Sequence, residues 1–165
     1  MKWQLVNPIH DVDRLITKFK EQYGKEAGVL TFDENFIRKN LTVASTVQLF
    51  DKSKEFIAYA EEDNKILGVC WFDRGGYSTY STREISNSKF HHIDLTLPVR
   101  LRIKILNDMI DQHLLWADNW GIPVVCSSSI RKDHSAFMRI HEKRGFTVCG
   151  SFAWIDTKEG LKWIR

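Results

Sequence analysis

Arg100, Arg102 and Lys104 recur at every second position within "LPVRLRIKIL", and the run that follows, "NDMIDQHLLWADNWGI", has helical spacing. Cations where a strand hands over to a helix could hold a phosphate or a carboxylate through charge-assisted hydrogen bonds. They could equally be a solvated face at a helix start, where each exposed cation opposes the helix dipole by about 0.3–1 kcal/mol. Just upstream, strand alternation in "FHHIDLTL" puts His92, Asp94 and Thr96 on one face and His91, Ile93, Leu95 and Leu97 on the other. A carboxylate and an imidazole two apart on a strand could orient and tune a general base, or be ordinary polar residues of a half-exposed sheet. His91 and His92 point oppositely and do not chelate. His134 and His141 share a helix side but are separated by two turns of about 5.4 Å each, so no metal site is expected.

The totals bound what these residues can belong to. A chain of 165 residues, 43% hydrophobic, supports one well-formed core, so a single domain over 1–165 is expected. Twenty-four Lys and Arg against 21 Asp and Glu is too even for a nucleic-acid binder, although Arg131, Lys132, Arg139, Lys143 and Arg144 form a local basic set diluted by Asp133 and Glu142. Cys70, Cys126 and Cys149 lie far apart without metal-ligand spacing, which fits a reduced, cytoplasmic chain. The first 24 residues mix charges with apolar positions, unlike a secretory signal, and no apolar run approaches the ~20 residues needed to cross a bilayer.

The positioning elements follow from periodicity. "KWQLV" reads as a strand. Val12, Leu15, Ile16, Phe19 and Tyr23 form a helical stripe, and Asp33 caps a second helix carrying Phe36, Ile37, Leu41 and Ala44. "EFIAYAE" and "KILGVCWF" form a hairpin across "EDNK"; a second turn at "RGGY" leads through a polar stretch to "FHHIDLTL", which Pro98 ends. From Arg100 the stripe Ile103, Leu106, Ile110, Leu114, Ala117 predicts a helix to Gly121. "PVVCSSS" is a compact buried strand, and "DHSAFMRIHEKRGF" a helix capped by Asp133, with Ala136, Phe137 and Ile140 inward and Gly145 as its stop. "TVCGSFAWID" and "LKWIR" close the chain as strands. Trp71, Trp116, Trp120 and Trp154 sit on these patterned elements as core residues. The expected fold is α/β, with a central, mostly antiparallel mixed sheet flanked by helices.

With this order of elements, "NDMIDQHLLWADNWGIPVV" and "HSAFMRIHEKRGFTVCGSF" resemble the GNAT superfamily of acyl-CoA-dependent N-acyltransferases, "HEKRGF" standing where that family usually has "YEKLGF". The resemblance implies a single GNAT-like domain that transfers an acyl group, most simply acetyl from acetyl-CoA, to a primary amine on a small molecule or a protein. It also implies a pyrophosphate-binding loop on Leu101, Arg102, Ile103, Lys104, Ile105 and Leu106, with Leu97 and Val99 beside it, where helix-terminal amides hold the diphosphate. The chain departs from the family here: Lys104 and Leu106 occupy positions of small residues, and Leu101 replaces a Gln or Arg. Arg100, Arg102 and Lys104 could replace the lost amide cradle.

By the same resemblance His141 occupies the position of the family's Tyr general acid, a change chemistry tolerates because imidazole titrates nearer neutrality than a phenol. His92 or Asp94 is then the base, and Ser127 contacts the cofactor. The alternative is a degenerate GNAT-fold protein with a structural or binding role, as in the internal virion proteins of short-tailed phages, where its partners would be other virion proteins and its location the virion. No membrane partner is expected, nucleic acid is disfavoured, and "LKWIR" could pair within the chain or across a homodimer.

Overall fold

The computed structural model describes residues 1–23, 32–129, 134–149 and 161. Asn7 and Asp11 knot the entry to the first helix: the Asn7 side chain accepts from the Ile9 amide (2.9 Å), and Asp11 from the Asn7 amide (2.8 Å). Strand β1 (Lys2–Leu5) thus leads into α1 (Val12–Tyr23). The second helix, α2 (Glu34–Phe50), starts as expected at Asp33, whose carboxylate accepts from the Phe36 amide at 2.9 Å.

β2 (Glu55–Glu62) and β3 (Lys65–Tyr77) are joined by a two-residue turn in which Asp63 and Asn64 both take positive φ (49° and 60°). Asp and Asn tolerate that geometry, which matches the strand twist. The turn expected at "RGGY" is instead a strand irregularity: β3 runs through it to Tyr77, and Gly76 (φ 79°) absorbs the extra residue between Arg74 and Tyr77, opposite Ser86 and Glu84. β4 (Glu84–Ile93) therefore begins inside the polar stretch.

β4 also ends earlier than the alternation predicts. After Ile93 the Asp94 carboxylate accepts from the amide and hydroxyl of Thr96 (2.9 and 2.6 Å), turning the chain. Pro98 does not end that strand; it caps α3 (Val99–Asn119), its carbonyl accepting from the amides of Leu101 and Arg102. The face α3 buries is rotated from the expected one. Ile105, Leu106, Met109, Ile110, His113, Trp116 and Ala117 are inside, while Ile103 and Leu114 fall at the exposed edges of that stripe.

β5 (Val124–Cys126) is short, half-buried and parallel to β4, and α4 (Ser135–Lys143) stops at Gly145 (φ 84°). Asp133, Trp154 and nearly all of the two expected closing strands lie outside the described residues; Phe146–Cys149 carry no strand pairing.

The described sheet has the order β1-β2-β3-β4-β5, antiparallel except for its last pair. Period-two alternation splits the interior. Val69 and Trp71 of β3 face α1 and α2 with Leu15, Phe19 and Leu41, while Cys70 and Phe72 face α3 with Ile105, Met109 and Trp116. Gly68 permits the close approach of α3: a Cβ there would meet Ile105 Cγ2 at 2.7 Å and Met109 Cε at 2.8 Å. Among the described residues no helix is long and apolar enough to cross a membrane.

Candidate active site

β4 and β5 are paired only from Ile85–Asn87 against Val124–Cys126. The last link is made by Ser88, whose hydroxyl approaches Ser127 Oγ and accepts from the Ser128 amide, both at 3.3 Å. Beyond it β5 ends while β4 continues, and at that point β4 bulges: Trp71 pairs with Phe90 and Phe72 with Ser88, leaving Lys89 extra. The strands part, and a cleft of about 380 Å³ opens between them. That is within the range of roughly 300–1,000 Å³ for small-molecule sites.

Phe90, His91 and Ile93 of β4 form one wall, Ser128 and Ser129 stand opposite, α3 contributes Val99, Arg102, Ile103 and Leu106, and α4 contributes Ala136, Phe137 and Ile140. The walls are mostly apolar. Among the polar residues of the wall, His91 has both ring nitrogens buried without a hydrogen-bond partner among the described residues. Burial first, and the nearby His141 second, push its pKa down to about 3, so the imidazole is neutral at pH 7.

Of the residues expected from the sequence, Val99, Arg102, Ile103 and Leu106 reach this cleft. Arg102 brings a buried Nε without a hydrogen-bond partner among the described residues. Arg100 and Lys104, one turn apart, instead line a separate, open concavity with Pro98 and Leu101, so the three cations do not converge. Residues 101–106 are not a loop but the first turns of α3. The amides of Leu101 and Arg102 both bond to Pro98 O, and helical geometry commits those of 103–106 to the carbonyls of 99–102. That removes most of the backbone donors expected of this segment. Ile105 is buried against the sheet, Leu97 packs on the α3-side core, and Ser127 only ties β5 to β4.

The expected acid and bases lie elsewhere too. His92 is buried on the opposite face of β4, its ring edge-on to Phe19. Asp94 is buried and ion-paired to Lys18 (2.7 Å) and Lys65 (3.6 Å). Burial raises its pKa, but hydrogen bonds from Lys18 and Thr96 outweigh that and hold it well below the usual carboxylate range. Asp94 is also not among the residues that line the cleft. His141 is buried between Phe137 and Phe146, outside the cleft lining. Its Nδ1 is 2.9 Å from Phe137 O; a carbonyl can only accept, so Nδ1 carries the proton and Nε2 is the basic nitrogen. Burial lowers its pKa, which disfavours the protonated form a general acid requires.

Three features were not anticipated. The spacing to Asp94 points to His92 rather than His91, although the face-mates of His91, Ile93 and Leu95, are apolar. His113 is on the buried stripe of α3, stacked on Phe72 (3.9 Å) and hydrogen-bonded to Ser86 Oγ (2.6 Å); its spacing from Met109 and Trp116 was the available signal. The third is an ionic group at the bulge. The Lys89 ammonium, against the cleft, meets Asp73 (2.9 Å), Glu55 (3.7 Å) and the Trp71 ring (5.1 Å), while Trp71 Nε1 donates to Glu55 at 2.6 Å. Only the sheet register brings these four together.

No protein-family model matches the chain, and no curated protein matches it. Solved structures do. A predicted acetyltransferase from Clostridium acetobutylicum, solved with acetyl-CoA, is 19% identical with a TM-score of 0.69 over 96% of this chain and 97% of its own. The aminoglycoside N-acetyltransferase AAC(6′)-Iy in complex with CoA gives 9% identity and a TM-score of 0.70 over 94% and 93%. The aminoglycoside 6′-N-acetyltransferase AAC(6′)-Ih from Acinetobacter baumannii gives 10% and 0.65 over 94% and 96%. The mixed sheet, the parting of β4 from β5 and these likenesses over nearly the whole chain lead to one conclusion: the fold is that of the GNAT acetyltransferases.

Proposed function

We propose that this chain is an N-acyltransferase that moves an acyl group, acetyl in the simplest case, from a coenzyme A thioester to an amine. The observation that carries the reading is the largely apolar cleft where β4 and β5 part, with the neutral imidazole of His91, whose ring nitrogens have no hydrogen-bond partner among the described residues, in its wall. The cleft residues suit an extended pantetheine-like arm, with its shape, apolar walls and few polar groups. At the α3 end the fit to a diphosphate rests on side chains, with Arg102 in the cleft and Arg100 and Lys104 around the helix start, since most amides there are committed to the helix.

In the reaction an amine nitrogen bonds to the thioester carbonyl carbon, the carbon–sulfur bond breaks, the amine proton goes to a base and the sulfur departs as thiolate. His91 is our candidate to take that proton, because burial keeps its imidazole neutral, with one ring nitrogen unprotonated, and neither nitrogen has a hydrogen-bond partner among the described residues. His141 and Phe137 hold the α4 wall against it. The same burial makes His91 a weak base, so this role depends on the charge that a filled cleft would place beside it.

Two measurements test this. Acetyl-CoA at about 100 times its dissociation constant should stabilise the folded chain by about 2.7 kcal/mol. Thiol release with a panel of primary amines should then show turnover that drops about 100-fold or more in His91→Phe, in line with general-base contributions of 10²–10⁴. No thermal shift with acetyl-CoA removes the reading.

The helical state of residues 101–106 favours a second reading, a GNAT fold kept without its cofactor for a structural or binding role. An unshifted melting curve with acetyl-CoA supports that alternative directly.

A further inference from the structure

The cleft is lined from both faces of the sheet. Phe90 and His91 are neighbours on β4 and so leave it on opposite faces. His91 stands edge-on to Phe72 on the α3 side, whereas Phe90 packs on Phe19 and Tyr23 of α1, with ring centroids 4.5 and 5.0 Å away. Tyr23, Phe90 and His91 nevertheless line the one cleft, which passes from face to face where β5 stops pairing with β4.

Under the acyltransferase reading, on which this inference rests, the donor fills the α3 side, its diphosphate near Arg102 and its arm between the strands. The acceptor then meets the thioester from the α1 side. Among the described residues that side offers the stacked rings of Tyr23 and Phe90, 23° apart in plane, and Lys89. No Asp or Glu is among the described residues of the cleft wall, whose full charges are those of Lys89 and Arg102. Asp73 and Glu55 already hold the Lys89 ammonium, and Glu55 also accepts from Trp71 Nε1. A second ammonium on the acceptor would therefore lose water in a cleft with no carboxylate in its described wall to receive it. An aromatic ring would instead bury apolar surface on Tyr23 and Phe90, in the edge or offset contacts that rings prefer.

We propose that Tyr23 and Phe90 set acceptor specificity, selecting a primary amine carried on an aromatic body that has no second cationic group. The two rings hold the body of the acceptor. The bonds made and broken are those given above for the amine and the thioester.

Thiol release from acetyl-CoA by the full chain, with 2-phenylethylamine, n-butylamine and 1,4-diaminobutane as acceptors, tests it. In kcat/KM the phenyl compound should exceed butylamine by about 10-fold or more, the scale on which a few apolar atoms discriminate in a pocket. The diamine should fall below butylamine. Tyr23→Ser should bring the phenyl compound and butylamine within about 3-fold of each other, whereas a general loss of structure would lower both alike. Tyr23→Leu, which removes the stacked ring but stays apolar, should shrink the ratio in the same direction and serves if the serine variant does not fold. Calorimetry of the same amines into the chain saturated with coenzyme A makes the comparison without turnover and decides where none of the three reacts. A chain that acetyl-CoA stabilises but that takes the phenyl compound no better than butylamine would overturn the proposal alone. So would a preference for the diamine, with Asp73 and Glu55 releasing Lys89 to receive it, or a phenyl preference unchanged in both Tyr23 variants. A chain that acetyl-CoA does not stabilise would overturn the acyltransferase reading and this proposal with it.

Discussion

The imidazoles of His91, His113 and His141 come from β4, α3 and α4 and are linked through the rings of Phe72 and Phe137. Burial dominates the downward shift of all three, and their mutual proximity adds to it for His91 and His113, both pushed to about 3. The unfolded chain, with imidazoles near 6.5, therefore binds more protons than the folded one as pH falls. The stability that neutral histidines allow is complete above about pH 6.5 and is lost progressively toward pH 3, each group contributing a slope of up to about 1.4 kcal/mol per pH unit. Asp94 acts with the same sign but in a lower window: its depressed pKa contributes stability that is lost as pH falls through and below the ordinary carboxylate range, so it does not steepen the curve between pH 6.5 and 4.5. Urea unfolding across that interval should show falling stability, and His91→Phe, which keeps a ring among Phe72 and Phe137, should lower the slope by about one proton. A flat wild-type profile would mean that the imidazoles are solvated.

At the scale of elements, what repeats along the chain was legible in the sequence and what depends on a neighbour was not. The Asp33 cap, the Asp63–Asn64 turn, the stripe of α1 and the Ile37, Leu41 and Ala44 face of α2 are local and appear where their residues predict them, whereas Phe36 of α2 is exposed. β4 ends earlier than its alternation predicts because Asp94, which has the spacing of a strand residue, closes a turn on Thr96 and is held there by Lys18, 76 positions away. The cleft residue His91 was hidden for a similar reason: sheet face is legible from alternation, but which face meets α3 and α4 is not. The bulge at Lys89, which brings Glu55 and Asp73 to one ammonium, has no local signature at all. The Lys18–Asp94 tie joins α1 to the turn before α3, and its loss can be weighed. Lys18→Met keeps the aliphatic stem but leaves the buried carboxylate with its two Thr96 hydrogen bonds and with Lys65, at 3.6 Å, as its nearest remaining cation among the described residues. Charge-assisted hydrogen bonds contribute about 1.5–3 kcal/mol, so denaturant unfolding of this variant should show a loss of that size. A change under 0.5 kcal/mol would show that Lys65 and solvent replace it.

For the molecule as a whole, the sheet separates two cores, one under α1 and α2 and one under α3, and the cleft opens where the second of these gives way between β4 and β5. Its two ends differ in chemistry. Toward the bulge lie His91, Phe90 and the paired Lys89; toward the start of α3 lies Arg102, with Arg100 and Lys104 round the helix. If side chains rather than amides grip a diphosphate there, the grip should depend on Arg102 above the other two, because it alone of the three lines the cleft. Arg102→Met should weaken coenzyme A binding by roughly 10- to 100-fold, the range that a lost charge-assisted bond of about 1.5–3 kcal/mol implies, while binding of phosphate-free pantetheine stays the same. Arg100→Met should cost less. Raising the salt from 50 to 500 mM should reduce coenzyme A affinity in the wild type more than in Arg102→Met, since screening acts on the contact the variant lacks. Lys104→Gly provides the converse, because an exposed glycine inside α3 costs about 1 kcal/mol of helix stability and loosens the turn whose amides are committed. Calorimetry that shows tighter coenzyme A binding in Lys104→Gly, with no loss in Arg102→Met, would place the diphosphate on backbone donors after all and the cations at the helix start outside the site.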